Sequence, residues 1–203
     1  MNIYGLNIET IRGRDFSWIE KDMPIRYEKG MRYRFYEDRL RCFGVAYLLK
    51  EVLGVSTEKD ICILPSGKPV APKFKEFSLS HSGNYCVIGI SEEPIGVDIE
   101  LMSPQNVHLA KDVYTKEEIA WMRLDELRRF HELWTLKESV MKATGKGLVL
   151  EPNTFSTIPL INNDSIIIED KKWFGCCASN DKYSYSICLG QPVGNIKWVE
   201  CSF

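Results

Sequence analysis

The chain has 203 residues, enough for one large domain or two small packed ones. Hydrophobic residues make up 44% and charged residues 27%, and 26 Lys and Arg against 28 Asp and Glu give a formal net charge of −2. This is the balance of an ordinary globular protein, and it speaks against non-specific nucleic-acid binding through a strongly basic surface.

The opening MNIYGLNIETIRGRDF lacks the apolar core of a secretory signal, and no run reaches bilayer length. The seven cysteines are odd in number, without C-x-x-C spacing, and sit in or near apolar runs. The expectation is a cytoplasmic protein with buried, reduced thiols, no structural zinc and no membrane partner.

Alternation over residues 2–8 predicts a strand. Residues 30–53 read as a helix, with Phe35, Leu40, Phe43, Tyr47 and Leu48 near helical spacing and Gly54 as its stop. A short strand at 61–64 runs into the turn-rich Pro65-Ser66-Gly67-Lys68-Pro69. Strands at 77–80 and 85–90 flank His81-Ser82-Gly83-Asn84, a hairpin connection, and a further strand covers 95–100. Thr115 and Glu118 form a capping box leading into Ile119 and Trp121. Residues 126–144 form the stronger helix, ended by Gly145. Strands are expected at 155–158, 165–168, 173–178, 183–189 and 196–199. Both halves run helix first and then antiparallel-looking strands. The expected fold is therefore α+β with two similar lobes, residues 1–103 and 104–203, and a cleft between them.

Asp98 and Glu100 are the sharpest chemical feature. On a strand, Val97 and Ile99 point to the core while the two acids share the other face, their Cα atoms about 6.5–7 Å apart. Carboxylates so spaced can converge on one hard divalent cation such as magnesium; the plain alternative is an exposed polar strand end. Glu138 shares a helix stripe with Trp134 and Lys142, where an ordinary Glu–Lys surface pair is the competing reading. Lys137, Lys142 and Lys146 crowd the end of that helix, which suits its dipole and equally a polyanionic ligand. His81, between two serines, is either a turn residue or a phosphate contact. Lys68 lies in a tight turn, and Arg26, Lys29, Arg32, Arg34, Arg39 and Arg41 make the approach to the first long helix basic, as a solvated face or a local anion site.

Gly67-Lys68-Pro69, Phe77-Ser78-Leu79-Ser80-His81-Ser82, Gly96-Val97-Asp98-Ile99-Glu100, Trp134-Thr135-Leu136-Lys137-Glu138-Ser139-Val140-Met141-Lys142 and Gly145-Lys146-Gly147-Leu148 follow in an order that resembles the 4′-phosphopantetheinyl transferases, nearest the monomeric class that activates surfactin synthetase. The resemblance implies a pseudo-dimer of two α+β lobes, each a long helix on a small antiparallel sheet, with the active site between them. It implies transfer of 4′-phosphopantetheine from coenzyme A to a serine of an acyl- or peptidyl-carrier protein, releasing 3′,5′-ADP, by a cytoplasmic monomer that binds neither nucleic acid nor membrane. It assigns magnesium to Asp98, Glu100 and Glu138, and catalysis to Glu138 and Lys142. Lys68, Ser80 and His81 would grip the nucleotide end and its 3′-phosphate, helped by Arg39 or Arg41. Residues 113–124, with Tyr114, Ile119, Trp121 and Met122, are either a carrier-docking surface or core. The competing functions are a magnesium-dependent phosphate-ester or diphosphate hydrolase with no carrier acceptor, and a non-catalytic carrier-binding module.

Overall fold

A computed structural model of the protein describes residues 1–202. The chain runs through β1 (Asn2–Asn7), α1 (Ser17–Asp22), α2 (Pro24–Met31), α3 (Tyr36–Glu51), β2 (Cys62–Ile63), β3 (Pro69–Val70), β4 (Glu76–Ser82), β5 (Tyr85–Ser91) and β6 (Ile95–Leu101). It continues through α4 (Ala110–Val113), α5 (Lys116–Met122), α6 (Glu126–Thr144), α7 (Ile158–Ile161), β7 (Ser165–Ile168), β8 (Lys171–Ser179), β9 (Tyr183–Leu189) and β10 (Lys197–Cys201). The fold is mixed α+β with small sheets. Among the described residues no helix is long and apolar enough to cross a membrane.

The helix expected from residue 30 begins only at Tyr36. Pro24 starts the separate α2, and Phe35 is extended before α3 opens. From Leu40 onward α3 is buried nearly all round, through Phe43, Val45, Ala46, Leu48 and Leu49. It packs on β1 and β5, and each large side chain so buried contributes about 1.5–3 kcal/mol. Helix α6 matches its expected span: Asp125 caps its start and Gly145, at φ +72°, ends it. The capping box at Thr115 and Glu118 is formed.

Residues 155–158 are not the strand expected of them. Pro152 opens a 3₁₀ turn and Pro159 sits in the first turn of α7, where a residue without an N–H is tolerated. The cysteines are all free, but only Cys42, Cys86 and Cys188 are buried, while Cys62 on β2 is exposed.

One sheet has the order β10-β1-β5-β4, antiparallel except for the parallel β1–β10 pair. A second, antiparallel throughout, has the order β6-β9-β8-β7. The pairing crosses the boundary expected after residue 103. Strand β6, which carries Asp98 and Glu100, belongs to the sheet of the second half, and the C-terminal β10 returns to β1. Ile3 and Val87 of the first sheet pack with Val97, Ile99 and Ile187 of the second.

A row of serines joins the sheet edges. Ser78, Ser80 and Ser82 share one face of β4 by the period of two. The Ser78 hydroxyl accepts from the Val97 N–H at 3.0 Å. Ser80 donates to Asp98 Oδ1 at 2.6 Å, and Ser82 donates to Glu100 Oε2 at 2.8 Å while accepting from the Leu101 N–H at 3.0 Å.

Candidate active site

The strand seam and helix α6 border one cleft of about 570 Å³. Arg26, Lys29 and Arg41 line it, as do Asp98, Glu100 and Glu138, together with Ser80, His81, Trp134 and Lys142. An adjoining cavity of about 330 Å³ shares Glu138 and Lys142 and reaches Lys68, Met141 and Leu148. Of the expected site residues, Ser80, His81, Asp98, Glu100, Glu138, Lys142 and Arg41 therefore border one space, and Lys68 borders the cavity beside it. Arg39 is not among the residues that line either.

Asp98 is 2% exposed. Its Oδ1 accepts from Lys142 Nζ at 2.6 Å as well as from Ser80, and the same ammonium lies 3.2 Å from the Val97 carbonyl. Its Oδ2 is buried with no hydrogen-bond partner among the described residues. Burial, and then the Asp98 charge, push Glu100 up to about 7, against the pull of the Ser82 hydroxyl and Lys142. Glu138 is likewise raised by burial; Lys142 opposes that shift and Asp98 adds to it. His81 still meets solvent, but its enclosure lowers its pKa, and Arg41, Lys142 and Lys29 lower it further. Among the described residues no three Asp, Glu, His or Cys side chains draw close enough to hold an ion as they stand.

Arg41 is braced by two acceptors, the Gly83 carbonyl at 2.7 Å and Asp38 Oδ1 at 2.5 Å. The fork stays oriented, with further N–H groups available to an anion. Arg39 is half-buried, its Nε enclosed without a partner among the described residues. Lys68 donates to the Ile95 carbonyl at 3.3 Å, and burial lowers its pKa.

Only one of the three lysines crowding α6 lines the cleft. Lys137 is fully buried against Glu118 at 2.9 Å and donates to the Pro152 and Phe155 carbonyls. Lys146 pairs with Glu169 on the surface. Tyr114 and Met122 are core, and Ile119 and Trp121 pack against that core, so these four favour the core reading of residues 113–124. Sequence reasoning missed Asp38, which holds Arg41, and saw Ser82 only as a neighbour of His81, not as the hydroxyl that holds Glu100. The alternation Ser78, Ser80, Ser82 was a legible signal of a row of hydroxyls along one strand face.

The family model described as the 4′-phosphopantetheinyl transferase superfamily matches residues 94–188, the stretch from β6 to β9. The chain is 30% identical over 210 residues to "4′-phosphopantetheinyl transferase Sfp" of Bacillus subtilis (strain 168), covering 95% of this chain and 93% of that one. It is 31% identical over 214 residues to "4′-phosphopantetheinyl transferase ffp" of Bacillus subtilis, with the same coverages. It is 37% identical over 93 residues to "4′-phosphopantetheinyl transferase gsp" of Aneurinibacillus migulanus, covering 44% of this chain and 39% of that one. The chain belongs to the 4′-phosphopantetheinyl transferase superfamily.

Proposed function

We propose that the protein transfers 4′-phosphopantetheine from coenzyme A to a serine of an acyl- or peptidyl-carrier protein, with magnesium, and releases 3′,5′-ADP. The serine hydroxyl oxygen forms a bond to the β-phosphorus of coenzyme A, and the bond from that phosphorus to the bridging oxygen breaks. Glu138, made more basic by burial, takes the hydroxyl proton, directly or through a water. Lys142 balances the charge that grows on the leaving 3′,5′-ADP. Arg41, His81 and Lys68 hold the nucleotide end, and Ser80 orients Asp98. The observation that supports this reading is one cleft lined both by the carboxylates Asp98, Glu100 and Glu138 and by the cationic Arg26, Lys29, Arg41 and Lys142, which suits a diphosphate reacting beside a cation.

The donor set fits a hard divalent ion. Asp98 and Glu100 sit on one strand, Glu138 faces the same cleft, and the buried Asp98 Oδ2 has no partner. Asp98, Glu100 and Glu138 would hold magnesium, which when bound neutralises diphosphate charge. The proposal also takes the molecule as a pseudo-dimer of two α+β lobes, residues 1–103 and 104–203, acting as a monomer with the site between them. The packing of α3 on β1 and β5 and of α6 on β6, β8 and β9 supports that likeness, and the exchange of β6 and β10 couples the lobes.

The test is mass spectrometry of a panel of carrier proteins incubated with the protein, coenzyme A and magnesium. One carrier should gain one phosphopantetheine, and Glu138→Gln should abolish the gain while the fold stays intact. Coenzyme A cleaved with no carrier modified would establish the hydrolase instead.

A further inference from the structure

We infer that the Lys142 ammonium competes with the divalent cation for Asp98, so that Lys142 couples cation binding to the arrival of the coenzyme A diphosphate. The inference rests on the proposed reading of Asp98 as a cation ligand and goes beyond it. Asp98 is almost wholly buried, and Lys142 Nζ lies 2.6 Å from its Oδ1. A charge so enclosed needs a counter-ion, because an unpaired buried carboxylate is costly. Lys142 supplies it, steadied by the Val97 carbonyl at 3.2 Å.

The same ammonium obstructs a second cation. An ion on the unpartnered Asp98 Oδ2 would share one carboxylate with a positive charge already in place, and like charges a few ångströms apart in an enclosed site repel strongly. Lys142 is not locked there. Its side chain is 26% exposed and its four-carbon stem is flexible. A diphosphate entering the cleft offers it a second anion. The ammonium then moves onto the phosphate, Asp98 is released to the divalent ion, and each ligand strengthens the other's binding by the same factor. Lys142 on this account makes cation binding in the absence of coenzyme A deliberately weak.

The test is Mn²⁺ binding to the full-length protein, read by electron paramagnetic resonance with no coenzyme A and no turnover. Lys142→Met and Lys142→Gln should each bind Mn²⁺ about tenfold more tightly than the parent, within the range usual for coupled sites. The Gln variant keeps a hydrogen-bond donor for Asp98 without the charge, which guards against a folding defect in the Met variant. Parent-like or weaker Mn²⁺ binding by both would overturn the inference. Asp98→Asn separates the two levels of the argument. It should abolish Mn²⁺ binding in the parent and in the Lys142→Gln background, and unchanged binding in both would overturn the reading of Asp98 as a cation ligand itself.

Discussion

Gly96 and Ser139 meet backbone to backbone: a Cβ on Gly96 would lie 1.8 Å from the Ser139 carbonyl oxygen and 2.6 Å from the Ala143 amide nitrogen. Helix α6 rests on β6 at this point, two residues before Asp98 on the strand and three before Lys142 on the helix. The 2.6 Å contact between Lys142 and Asp98 depends on that closeness. Gly96→Ala should force the helix away, lower stability by about 3 kcal/mol, and remove transfer activity. Urea unfolding midpoints and the carrier mass assay check the two effects. A variant as stable and active as the parent would show that the helix position is not set here.

The buried Glu118–Lys137 pair ties α5, α6 and the segment before α7 together. Glu118 also accepts from the Thr115 and Thr157 N–H groups and from the Thr157 hydroxyl. Lys137→Met should destabilise the fold by about 3–5 kcal/mol, because it strands a carboxylate in the core. Adding Glu118→Gln should restore only part of that loss, because it removes the stranded charge but turns an amide NH2 toward one of the backbone N–H groups that Glu118 accepts from. Denaturant titrations of the two single variants and the double variant test the coupling, which fails if the losses simply add.

How much of this was legible in the sequence follows from which interactions are local. Helix α6, with its Asp125 cap and its Gly145 stop, and the capping box at Thr115 are set by neighbours along the chain and could be read. The pairing of β6 with β9, and of β10 with β1, depends on contacts across up to the whole chain length. Nothing in residues 95–101 or 197–201 alone says which strand they will join. The alternation at Asp98 and Glu100 gave the facing of the acids. It did not give the burial of Asp98 or its ammonium partner, because the first comes from α6 and β4 packing on β6 and the second from α6. Helical spacing put Lys142, and not Lys137, on the stripe of Trp134 and Glu138, but nothing along the chain showed that Lys137 forms a buried ion pair with Glu118.

The Glu100 carboxyl is pushed up to about 7, chiefly by burial and then by Asp98. Without a divalent ion, the folded state therefore keeps a proton there that the unfolded chain has lost above about 4.5. The stabilisation from this group is full below the unfolded value and fades as pH rises through about 7. The parent should lose on the order of 2 kcal/mol relative to Glu100→Gln between pH 5 and pH 8. Unfolding midpoints of both proteins in a chelator, across that range, test the sign. His131 works the other way. Burial lowers its pKa, so its contribution is lost as pH falls, but it is unchanged in both proteins and cancels from the difference.

Arg39 and Arg41 were equivalent candidates for the 3′-phosphate, and their surroundings distinguish them. Arg41 lines the cleft beside Lys29 and His81, and Gly83 and Asp38 hold its guanidinium plane. Arg39 lines neither cavity. Arg41→Ala should cost about tenfold in the preference for coenzyme A over 3′-dephospho-coenzyme A, the discrimination expected from losing one charge-assisted contact. Arg39→Ala should leave that preference unchanged. The comparison is made on kcat/KM for the two donors with one carrier protein. A general weakening of the fold lowers both values together, whereas loss of a phosphate contact lowers only the value for coenzyme A. Asp38→Asn provides an internal check. It leaves the Arg41 charge in place but loosens its plane, so it should fall between the parent and Arg41→Ala. An Arg41→Ala enzyme with the parental donor preference would remove Arg41 from 3′-phosphate recognition and leave Arg26 and Lys29, which line the same cleft, to carry it.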